Sequence, residues 1–407
     1  MEPEPADEPM VPRYGERSLA EVLPSVLAGM GVAGFANALD VPESRGVCVL
    51  LIDGLGWELL HRYPDDAPFL AGLAEGQEPL TAGFPSTTAT SIASLGTGVP
   101  PGEHGIVGYT FAPAPHDRLL NALTWREHGV PNPADLAEAF VPEQIQSLPT
   151  ALQAAADAGV RVTVAAPGIQ RGSGLTRAVL RGGHFTSAHS AGDLAARVVA
   201  ALDSDERALC YAYYGDLDLT GHARGPGSLA WRIQLGLIDH LVRAVAEHLP
   251  DGCRLAVVAD HGMVSVGEDD RTDYDHLPEL QDGVRLLGGE VRARHVYTRP
   301  GAQTDVLAAW RQLLGEGAWV LARDEAVAAG WFGTTGSDAG ISDRVGDVVV
   351  AARGTHGVIR SAAEPLESRL VGHHGSLTPA EQLVPFLLTG GRLDLLGGPD
   401  PKAHQAR

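Results

Sequence analysis

Four apolar runs, each preceded by a helical pattern, constrain the fold more than any other feature of this sequence. The runs cover residues 47–52, 162–166, 208–214 and 255–259. Runs of this kind are typical of strands that are buried on both faces of a parallel sheet. Because helices and apolar strands alternate, we predict an α/β fold with a doubly wound, mostly parallel sheet.

The helical segments between the runs carry start signals and apolar faces. Ser18 and Glu21 have the spacing of a capping box, so we expect the first helix to begin at Ser18. Further helices are predicted over residues 148–158, 191–202 and 228–248. In the last helix, apolar residues recur at every fourth position and predict its buried face, namely Leu229, Ile233, Leu237 and Leu241.

Acidic residues and histidines follow three of the four apolar runs. Asp53 comes directly after the first run, Asp218 and His222 follow the third, and Asp260 and His261 follow the fourth. The carboxyl ends of parallel strands meet at one edge of the sheet, where ligands of open α/β folds bind. Each residue alone could cap a turn or lie in solvent, but their joint occurrence at strand ends favours a shared site.

A hydroxyl-rich run, residues 86–90, carries the best candidate nucleophile. It follows Phe84 and Pro85 and begins a short predicted helix that ends at Gly96. Hydroxyl side chains are preferred at helix starts, and the free N–H groups of a first turn favour an anion such as a phosphoryl group. By itself the run also fits a simple N-cap, and it is the acidic and histidine residues elsewhere that favour chemistry here.

The strongly acidic composition limits the partners of the protein. The formal net charge is −21, so we expect no nucleic-acid binding, and a phosphate site must gain positive charge locally, most simply from metal ions. No apolar run approaches the roughly 18 to 20 residues of a membrane span, and we expect no membrane attachment. Cys48, Cys210 and Cys253 are interpreted as buried reduced thiols, which predicts a cytoplasmic protein.

Changes in composition divide the chain into five segments. The termini, residues 1–17 and 397–407, are expected to be disordered. The catalytic core is predicted over residues 18–264 and 344–396, and it resumes with the apolar run 347–352. Residues 265–343 are rich in charge and glycine and are interpreted as a smaller α+β insertion. The oligomeric state and the role of the insertion are left open.

The candidate ligands combine carboxylate oxygens, imidazole nitrogens and one hydroxyl. This donor set suits two divalent ions of the zinc type, each with an open position for substrate, and manganese is the alternative. The set consists of Asp53, Thr88, Asp218, His222, Asp260, His261 and His374.

These motifs resemble those of the nucleotide pyrophosphatase/phosphodiesterase branch of the alkaline phosphatase superfamily. The nucleophile region of that branch is similar to residues 84–88, 96–98 and 103–106. Its Asp-x-x-Gly-His element looks like residues 218–222, and its Asp-His-Gly-Met element looks like residues 260–263. The resemblance covers the core and the final His-Gly pair, and it leaves the insertion unmatched.

Carried over position by position, the resemblance implies two metal sites and a nucleophile. One ion is implied to bind Asp53, Asp260 and His261 together with the hydroxyl of Thr88, which is the implied nucleophile. The other ion is implied to bind Asp218, His222 and His374.

For one metal ligand of the family the sequence offers several candidate histidines, and at another position this chain departs from the family pattern. His356 and His373 compete with His374, which is preferred because Gly375 and a helix start at Thr378 follow it. Where those diesterases carry an asparagine donor, this chain has Ser91. We expect the Ser91 hydroxyl to donate a hydrogen bond to a phosphoryl oxygen.

The resemblance implies a hydrolase that forms a phosphothreonine intermediate. We predict a metal-dependent phosphodiesterase or nucleotide pyrophosphatase whose substrate is a small phosphate ester or a nucleotide. A phosphonate hydrolase and a phosphomonoesterase of the same superfamily are alternatives that fit the same residues. A non-catalytic metal-binding protein is a lower alternative, because closed structural zinc sites use four protein ligands.

Overall fold

Two sheets organise the computed structural model, which describes residues 8–113, 118–335, 341 and 344–390. The strands of five or more residues are β1 (Gly46–Ile52), β2 (Arg161–Pro167), β3 (His184–Ala188), β4 (Ala208–Tyr214), β5 (Cys253–Val258), β6 (Val284–Glu290), β7 (Ala293–Thr298), β8 (Ala318–Ala322), β9 (Val348–Ala352) and β10 (Phe386–Gly390).

The larger sheet has six strands in the order β10-β5-β1-β4-β2-β3. All of its pairs are parallel except β10, which runs antiparallel to β5. The four apolar runs form β1, β2, β4 and β5, which confirms the predicted mostly parallel α/β fold. Because β1 lies between β4 and β5, the loops after these three strands leave the sheet side by side.

Helices connect the strands as the alternating pattern predicts. The helices of six or more residues are α1 (Val22–Gly29), α2 (Trp57–Arg62), α3 (Pro68–Ala74), α4 (Thr88–Thr97), α5 (Ala151–Asp157), α6 (Gly174–Val179), α7 (Ala191–Leu202), α8 (Asp216–Arg224), α9 (Leu229–Glu247), α10 (Gln303–Leu314) and α11 (Arg323–Ala328). Ser18 and Glu21 form the predicted capping box, which begins a 3₁₀ turn that leads into α1.

The buried face of α9 differs from the predicted one. Leu229, Ile233 and Leu237 are 74%, 58% and 55% exposed, and only Leu241 of the predicted face is buried. The helix packs through another face, which includes Trp231, Leu235 and Ile238. Both stripes have helical spacing, so periodicity alone does not distinguish them. Trp231 lies on the buried stripe, beside Tyr63 and Gly221.

The smaller sheet is antiparallel, with the order β6-β7-β9-β8. A smaller α+β unit therefore follows the core, but its predicted end at residue 343 is wrong, because β9 lies inside this sheet. Val348 and Val350 pack with Trp310 in the core of the small unit, whereas Val349 and Ala351 pack against the main core. An apolar run indicates burial on both faces but does not indicate to which sheet the strand belongs.

A short pair of strands closes the base of the small unit. Val264–Ser265 pairs antiparallel with Gly372–His373, so the chain leaves and re-enters the core at one place. We call residues 266–371 the small domain. The chain re-enters the core at Gly372, directly after the small domain, and His374 follows two residues later.

The N-terminal segment is better ordered than its composition predicts. From residue 8 onward it packs on the core, with the Met10 amide donating to the Leu377 carbonyl at 2.8 Å. The Tyr14 hydroxyl donates to the Trp331 carbonyl and accepts from the Phe84 amide, both at 3.0 Å. The expectation of disorder through residue 17 is therefore wrong for residues 8–17, since their polar groups find fixed partners. Residues 1–7 and the predicted tail 397–407 lie outside the described residues.

Two further observations concern the environment of the chain. Cys48, Cys210 and Cys253 are buried and free, as predicted. Within the described ranges, no helix has both the length and the apolar character needed to cross a membrane.

A buried ion pair ties the small domain to the loop that follows His374. Arg292 and Glu381 are both fully buried, with Arg292 Nη2 2.6 Å from Glu381 Oε2 and Nε 3.0 Å from Oε1. Removing one partner of such a pair leaves an uncompensated buried charge. We expect Arg292→Met to lower the free energy of unfolding by about 3 to 5 kcal/mol, measured by urea denaturation.

The matched control for this substitution is Arg311→Met. Arg311 pairs with Glu325 at 2.6 Å, but both side chains are about half exposed. Exposed pairs contribute at most about 1 kcal/mol, so the control is expected to unfold near the wild-type midpoint. Equal effects of the two substitutions would contradict the assigned importance of the Arg292–Glu381 pair.

Candidate active site

The first cluster of the site surrounds His261. This histidine and Asp260 follow β5, and Asp53 follows the neighbouring strand β1. His261 Nε2 lies 3.4 Å from Asp53 Oδ1 and 3.4 Å from Asp260 Oδ2. The Thr88 hydroxyl lies 3.3 Å from the same nitrogen. The structure therefore brings together the four residues that were implied to share one ion.

The second cluster lies beside the first and contains Asp218, His222 and His374. Asp218 and His222 are one turn apart on α8, and His222 Nε2 lies 3.3 Å from Asp218 Oδ2. His374 Nε2 lies 3.3 Å from His222 Nε2 and 3.8 Å from Asp218 Oδ1. The rings of His261 and His374 stack with centroids 3.5 Å apart, so the clusters are in direct contact.

The backbone orients all three histidines in the same way. His222 Nδ1 lies 2.7 Å from the Gly372 carbonyl, His374 Nδ1 lies 2.9 Å from that of Ser86, and His261 Nδ1 lies 3.0 Å from that of Gly262. A ring nitrogen donates its proton to such a carbonyl, which leaves the Nε2 lone pair free. Each Nε2 atom then points toward the carboxylates as a potential ligand.

The carboxylates also present unused atoms to the centre of the site. Asp53 Oδ1, Asp218 Oδ1 and Asp260 Oδ2 are buried and have no hydrogen-bond partner among the described residues. Their other oxygens are held elsewhere, as Asp260 Oδ1 accepts from the amides of Gly54 and His261 at 3.0 and 3.1 Å. Buried polar atoms without partners are rare, so these three oxygens fit a site that binds a cation.

The repulsion among the clustered carboxylates also favours a bound cation. Burial, together with the charges of Asp260 and Asp218, raises the pKa of Asp53 well above its ordinary value. Burial lowers the pKa of His222, but the Asp218 carboxylate outweighs it and raises that pKa to about 9. Bound cations would relieve the repulsion among the carboxylates.

The spacing of the donor atoms fits metal ions of the zinc type. Tetrahedral zinc with ligands at about 2.0 to 2.1 Å places neighbouring ligand atoms about 3.3 Å apart. Four of the pairs that meet in the clusters are separated by 3.3 or 3.4 Å, and His374 Nε2 and Asp218 Oδ1 are separated by 3.8 Å. The 3.3 Å separation of His222 Nε2 and His374 Nε2 requires a positive charge between the two nitrogens, which either a proton on His222 or a bound cation supplies.

Metal binding to these clusters is expected to stabilise the folded protein. An ion at 100 times its dissociation constant adds about 2.7 kcal/mol per site, so zinc should raise the melting temperature of metal-stripped protein. Calcium at the same concentration is the control, because it prefers six to eight oxygen ligands and these clusters are rich in imidazole. Unchanged melting with both zinc and manganese, measured by differential scanning calorimetry, would contradict metal binding at these clusters.

Helix α4 carries Thr88 to the site. Thr87 is the N-cap residue and Thr88 the first helical residue, so the amides of the first turn have no partner within the helix. The preceding Ser86 is fixed on the loop of His374, since its hydroxyl donates to the Ser376 carbonyl at 2.8 Å and its amide to the Gly375 carbonyl at 3.0 Å. The nucleophile region and the His374 loop are thus held together directly.

Ser91 does not occupy the predicted position. It is fully buried, and its hydroxyl donates to the backbone carbonyl of Asp260 at 2.7 Å. A hydroxyl has one proton to donate, so Ser91 has none left for a phosphoryl oxygen. The expected role of Ser91 in catalysis is therefore wrong, and the residue instead fixes the loop that carries Asp260 and His261.

The competing histidines lie elsewhere. His356 is exposed, and His373 Nε2 lies 3.1 Å from the Leu370 carbonyl. Burial, with the His222 charge nearby, lowers the pKa of His373 to about 3, so this ring stays neutral. Only His374 of the three reaches the ligand cluster.

Two residues of the site had no clear signal in the sequence. The Tyr213 hydroxyl donates to Asp53 Oδ2, and the pairing of β1 with β4 could have indicated this contact because Tyr213 is in register with Leu51, two residues before Asp53. Glu290, at the end of β6, lies with Oε2 3.7 Å from His374 Nδ1. Burial raises the pKa of Glu290 to about 8, an effect that the Thr87 hydroxyl partly offsets. No local pattern marks a residue that reaches the site from the small domain.

An α/β sheet that presents two acid and histidine clusters beside a threonine at one edge defines a metal-dependent hydrolase of phosphoester bonds. Comparison with known proteins agrees with this class and narrows it. The model of the type I phosphodiesterase / nucleotide pyrophosphatase family matches residues 47–377, and the chain belongs to this family. It is thus an enzyme of the alkaline phosphatase superfamily, as the motifs predicted.

Solved structures share the fold at low sequence identity. Murine ectonucleotide pyrophosphatase / phosphodiesterase 5 has a TM-score of 0.63 and 18% identity, over 84% of this chain and 88% of that one. Phosphonoacetate hydrolase from Sinorhizobium meliloti 1021, in complex with phosphonoacetate, has a TM-score of 0.61 and 22% identity, over 89% and 93% of the two chains.

A curated relative matches over a shorter stretch. Phosphopentomutase from Anaeromyxobacter dehalogenans is 31% identical over 117 residues, which are 28% of this chain. The match spans 30% of that protein's own length. The solved structures show the shared fold, and the family model over residues 47–377 assigns the chain to its family.

Proposed function

We propose that the protein is a two-metal phosphodiesterase or nucleotide pyrophosphatase that acts through a phosphothreonine intermediate. The observation that carries this proposal is the position of the Thr88 hydroxyl, 3.3 Å from His261 Nε2 and beside carboxylate oxygens without partners. A hydroxyl at that place is ready to attack a phosphorus atom that the first turn of α4 helps to hold. An inactive threonine-to-alanine variant of the murine relative was solved in complex with AMP, which supports the choice of a threonine and of a nucleotide-like substrate.

Each cluster would hold one ion. Asp53, Asp260 and His261 would bind the ion that shares the Thr88 hydroxyl, and the second cluster would bind the other. When bound, such ions lower the pKa of a hydroxyl or water and offset charge that develops on the attacking and leaving oxygens. Zinc suits the mixture of imidazole and carboxylate ligands, and manganese is the alternative.

The residues of the chain account for the rest of the reaction. Thr88 Oγ1 forms the new bond to phosphorus as the bond to the leaving alcohol or phosphate breaks. The amides at the start of α4 donate to the phosphoryl oxygens, where negative charge increases in the transition state. Water then attacks the phosphothreonine, releases the remaining phosphate ester and restores the Thr88 hydroxyl.

Hydrolysis of two chromogenic esters tests this proposal. Metal-stripped protein is assayed with bis-p-nitrophenyl phosphate and p-nitrophenyl phosphate after zinc or manganese is added back. We expect metal-dependent hydrolysis with preference for the diester. Preference for the monoester would replace the proposal with a phosphomonoesterase. If neither ester is hydrolysed, release of phosphate from phosphonoacetate distinguishes a phosphonate hydrolase from a non-catalytic metal-binding protein.

A cytoplasmic location is also proposed. It is supported by the three cysteines, which are buried and free. Immunodetection in separated cytoplasmic, membrane and extracellular fractions tests it, and recovery of the protein outside the cytoplasm would overturn it.

A further inference from the structure

Two cavities lie where the core meets the small domain. The first, of about 250 Å³, belongs to the active site and has Thr88 and Glu290 in its walls. The second, of about 180 Å³, has room for roughly six water molecules or one small organic molecule. We call it the arginine pocket after Arg118, Arg285 and Arg360, which line it. Its described lining residues include no member of either metal cluster, so it is a separate site.

The arginine pocket concentrates positive charge in a strongly acidic chain, whose formal net charge is −21. Its described lining residues include three arginines and one carboxylate, that of Glu127. Glu127 Oε1 lies 4.0 Å from Arg118 Nε, which is the outer limit of an ion pair, and the Arg118 side chain is 52% exposed. Like charges that meet at one cavity repel each other, and a bound anion relieves that repulsion.

Arg360 is held in the wall of the pocket with part of its charge uncompensated. Its Nη1 donates to the Leu287 carbonyl at 3.2 Å, and its guanidinium lies over the Tyr274 ring, 5.6 Å from the centroid. Its contacts with Asp275 Oδ1 and Glu364 Oε1, at 3.7 and 3.5 Å, are longer than ordinary hydrogen bonds. Its Nε is buried and has no hydrogen-bond partner among the described residues.

Both carboxylates near Arg360 are engaged by other partners. Glu364 Oε2 lies 2.8 Å from Arg294 Nη2, and Glu364 Oε1 lies 3.2 Å from His128 Nε2. Asp275 Oδ2 accepts from two backbone amides at 2.9 and 3.0 Å. Because these groups are shared, an anion from outside the chain can add to the compensation of Arg360.

The chemistry of the walls defines the class of ligand. A guanidinium presents several N–H donors in one plane, which match the oxygens of a carboxylate, a sulfonate or a phosphate. Leu119, Val130 and Leu286 also line the pocket and provide apolar surface beside the arginines. An inorganic anion would leave this surface unused, whereas an anion with an apolar body covers it.

We propose that the arginine pocket binds a small organic oxyanion, whose charged group pairs with the arginines and whose apolar body lies against the apolar wall. The proposal goes beyond the reaction at Thr88 and does not depend on it, because the pocket and the metal clusters share no lining residue. Arg118 belongs to the core, and Arg285 and Arg360 belong to the small domain. The ligand therefore bridges the two parts of the chain.

Two molecules of the same shape and different charge test the proposal. Benzenesulfonate carries an oxyanion on a phenyl ring, and in methyl phenyl sulfone a methyl group replaces one oxygen and removes the charge. Isothermal titration calorimetry of the zinc-loaded protein, in a buffer without other oxyanions, measures both dissociation constants. We expect benzenesulfonate to bind at least about tenfold more tightly than the sulfone. Equal dissociation constants, or no binding of benzenesulfonate, would overturn the proposal.

Substitution of the arginines shows where the anion binds. Arg118→Gln and Arg285→Gln are each expected to raise the dissociation constant of benzenesulfonate by about tenfold, because glutamine removes the charge. Both arginines are exposed, so we expect both variants to fold. Arg197→Gln is the matched control, since Arg197 is 47% exposed, pairs with Asp193 at 3.2 Å and lies on α7 outside the pocket. It is expected to keep the wild-type dissociation constant.

The variants also distinguish the arginine pocket from the catalytic centre. An anion held by the zinc ions would bind equally well to the wild type and to both pocket variants, and that result would refute the proposal. An equal loss of affinity in Arg197→Gln would refute it as well, because the effect would then follow from net charge alone. No ester is hydrolysed in this experiment, so its outcome is independent of the proposed function.

Discussion

Thr88→Ala is expected to lower the turnover number for the best ester by at least about a thousandfold and to leave the metal content unchanged. The alanine has no oxygen to attack phosphorus, so the two-step reaction cannot begin. Metal is retained because Asp53 and Asp260, each with an oxygen 3.4 Å from His261 Nε2, remain in place with that histidine. Steady-state kinetics and elemental analysis of the same zinc-loaded samples measure both quantities.

Two further variants make this result specific. Thr90→Ala removes a buried hydroxyl from the same helix, and that hydroxyl has no hydrogen-bond partner among the described residues. It is expected to keep most of the wild-type rate. Thr88→Ser keeps a nucleophilic oxygen and should retain more activity than the alanine variant. A Thr88→Ala enzyme with near-normal turnover would end the assignment of Thr88 as the nucleophile.

Asp260→Asn is expected to reduce both the bound metal and the rate, with kcat/KM lower by at least about a hundredfold. Asp260 Oδ2 is buried without a partner and lies 3.4 Å from His261 Nε2. The amide can still accept from Gly54 through Oδ1, so the loop keeps its shape. It cannot offer a negative charge to a cation, and the metal site is weakened without disruption of the backbone.

Asp239→Asn is the matched control for the metal site. Asp239 is also a buried carboxylate on the core, but it accepts from the Leu70 amide at 2.8 Å and lies outside both clusters. We expect it to affect stability and not metal content. Elemental analysis and titration with a zinc indicator measure binding in both variants. Full metal content together with full activity in Asp260→Asn would refute the site as described here.

The sequence was most informative where a side chain and its strand are adjacent in the chain. Asp53, Asp260 and His261 directly follow β1 and β5, and parallel pairing carries them to the same edge whatever the rest of the fold does. The Asp-x-x-Gly-His element likewise places Asp218 and His222 on one face of α8, because residues four apart are neighbours on a helix. These parts of the site follow from local geometry.

The sequence was least informative where two alternatives share the same local pattern. The stripe of Leu229, Ile233 and Leu237 has the spacing of a buried face, yet the stripe that contains Trp231 is buried instead. Strand β9 has the apolar character of a core strand, yet it pairs within the small domain. The Ser91 hydroxyl lies on the same helix as Thr88, yet it donates its hydrogen bond to the Asp260 carbonyl. In each case the outcome depends on contacts with residues that are distant in the sequence.

By itself, then, the sequence determined the mostly parallel sheet, the four apolar runs that form its strands and most of the candidate metal-binding residues, because periodicity and strand ends are local properties. The sequence favoured His374 over His356 and His373, but only the tertiary structure places it in the second cluster, since that depends on how the chain re-enters the core at Gly372. It also decided that Glu290 faces the cavity beside the site. Contacts between segments this far apart depend on packing across the whole fold, which no local pattern encodes.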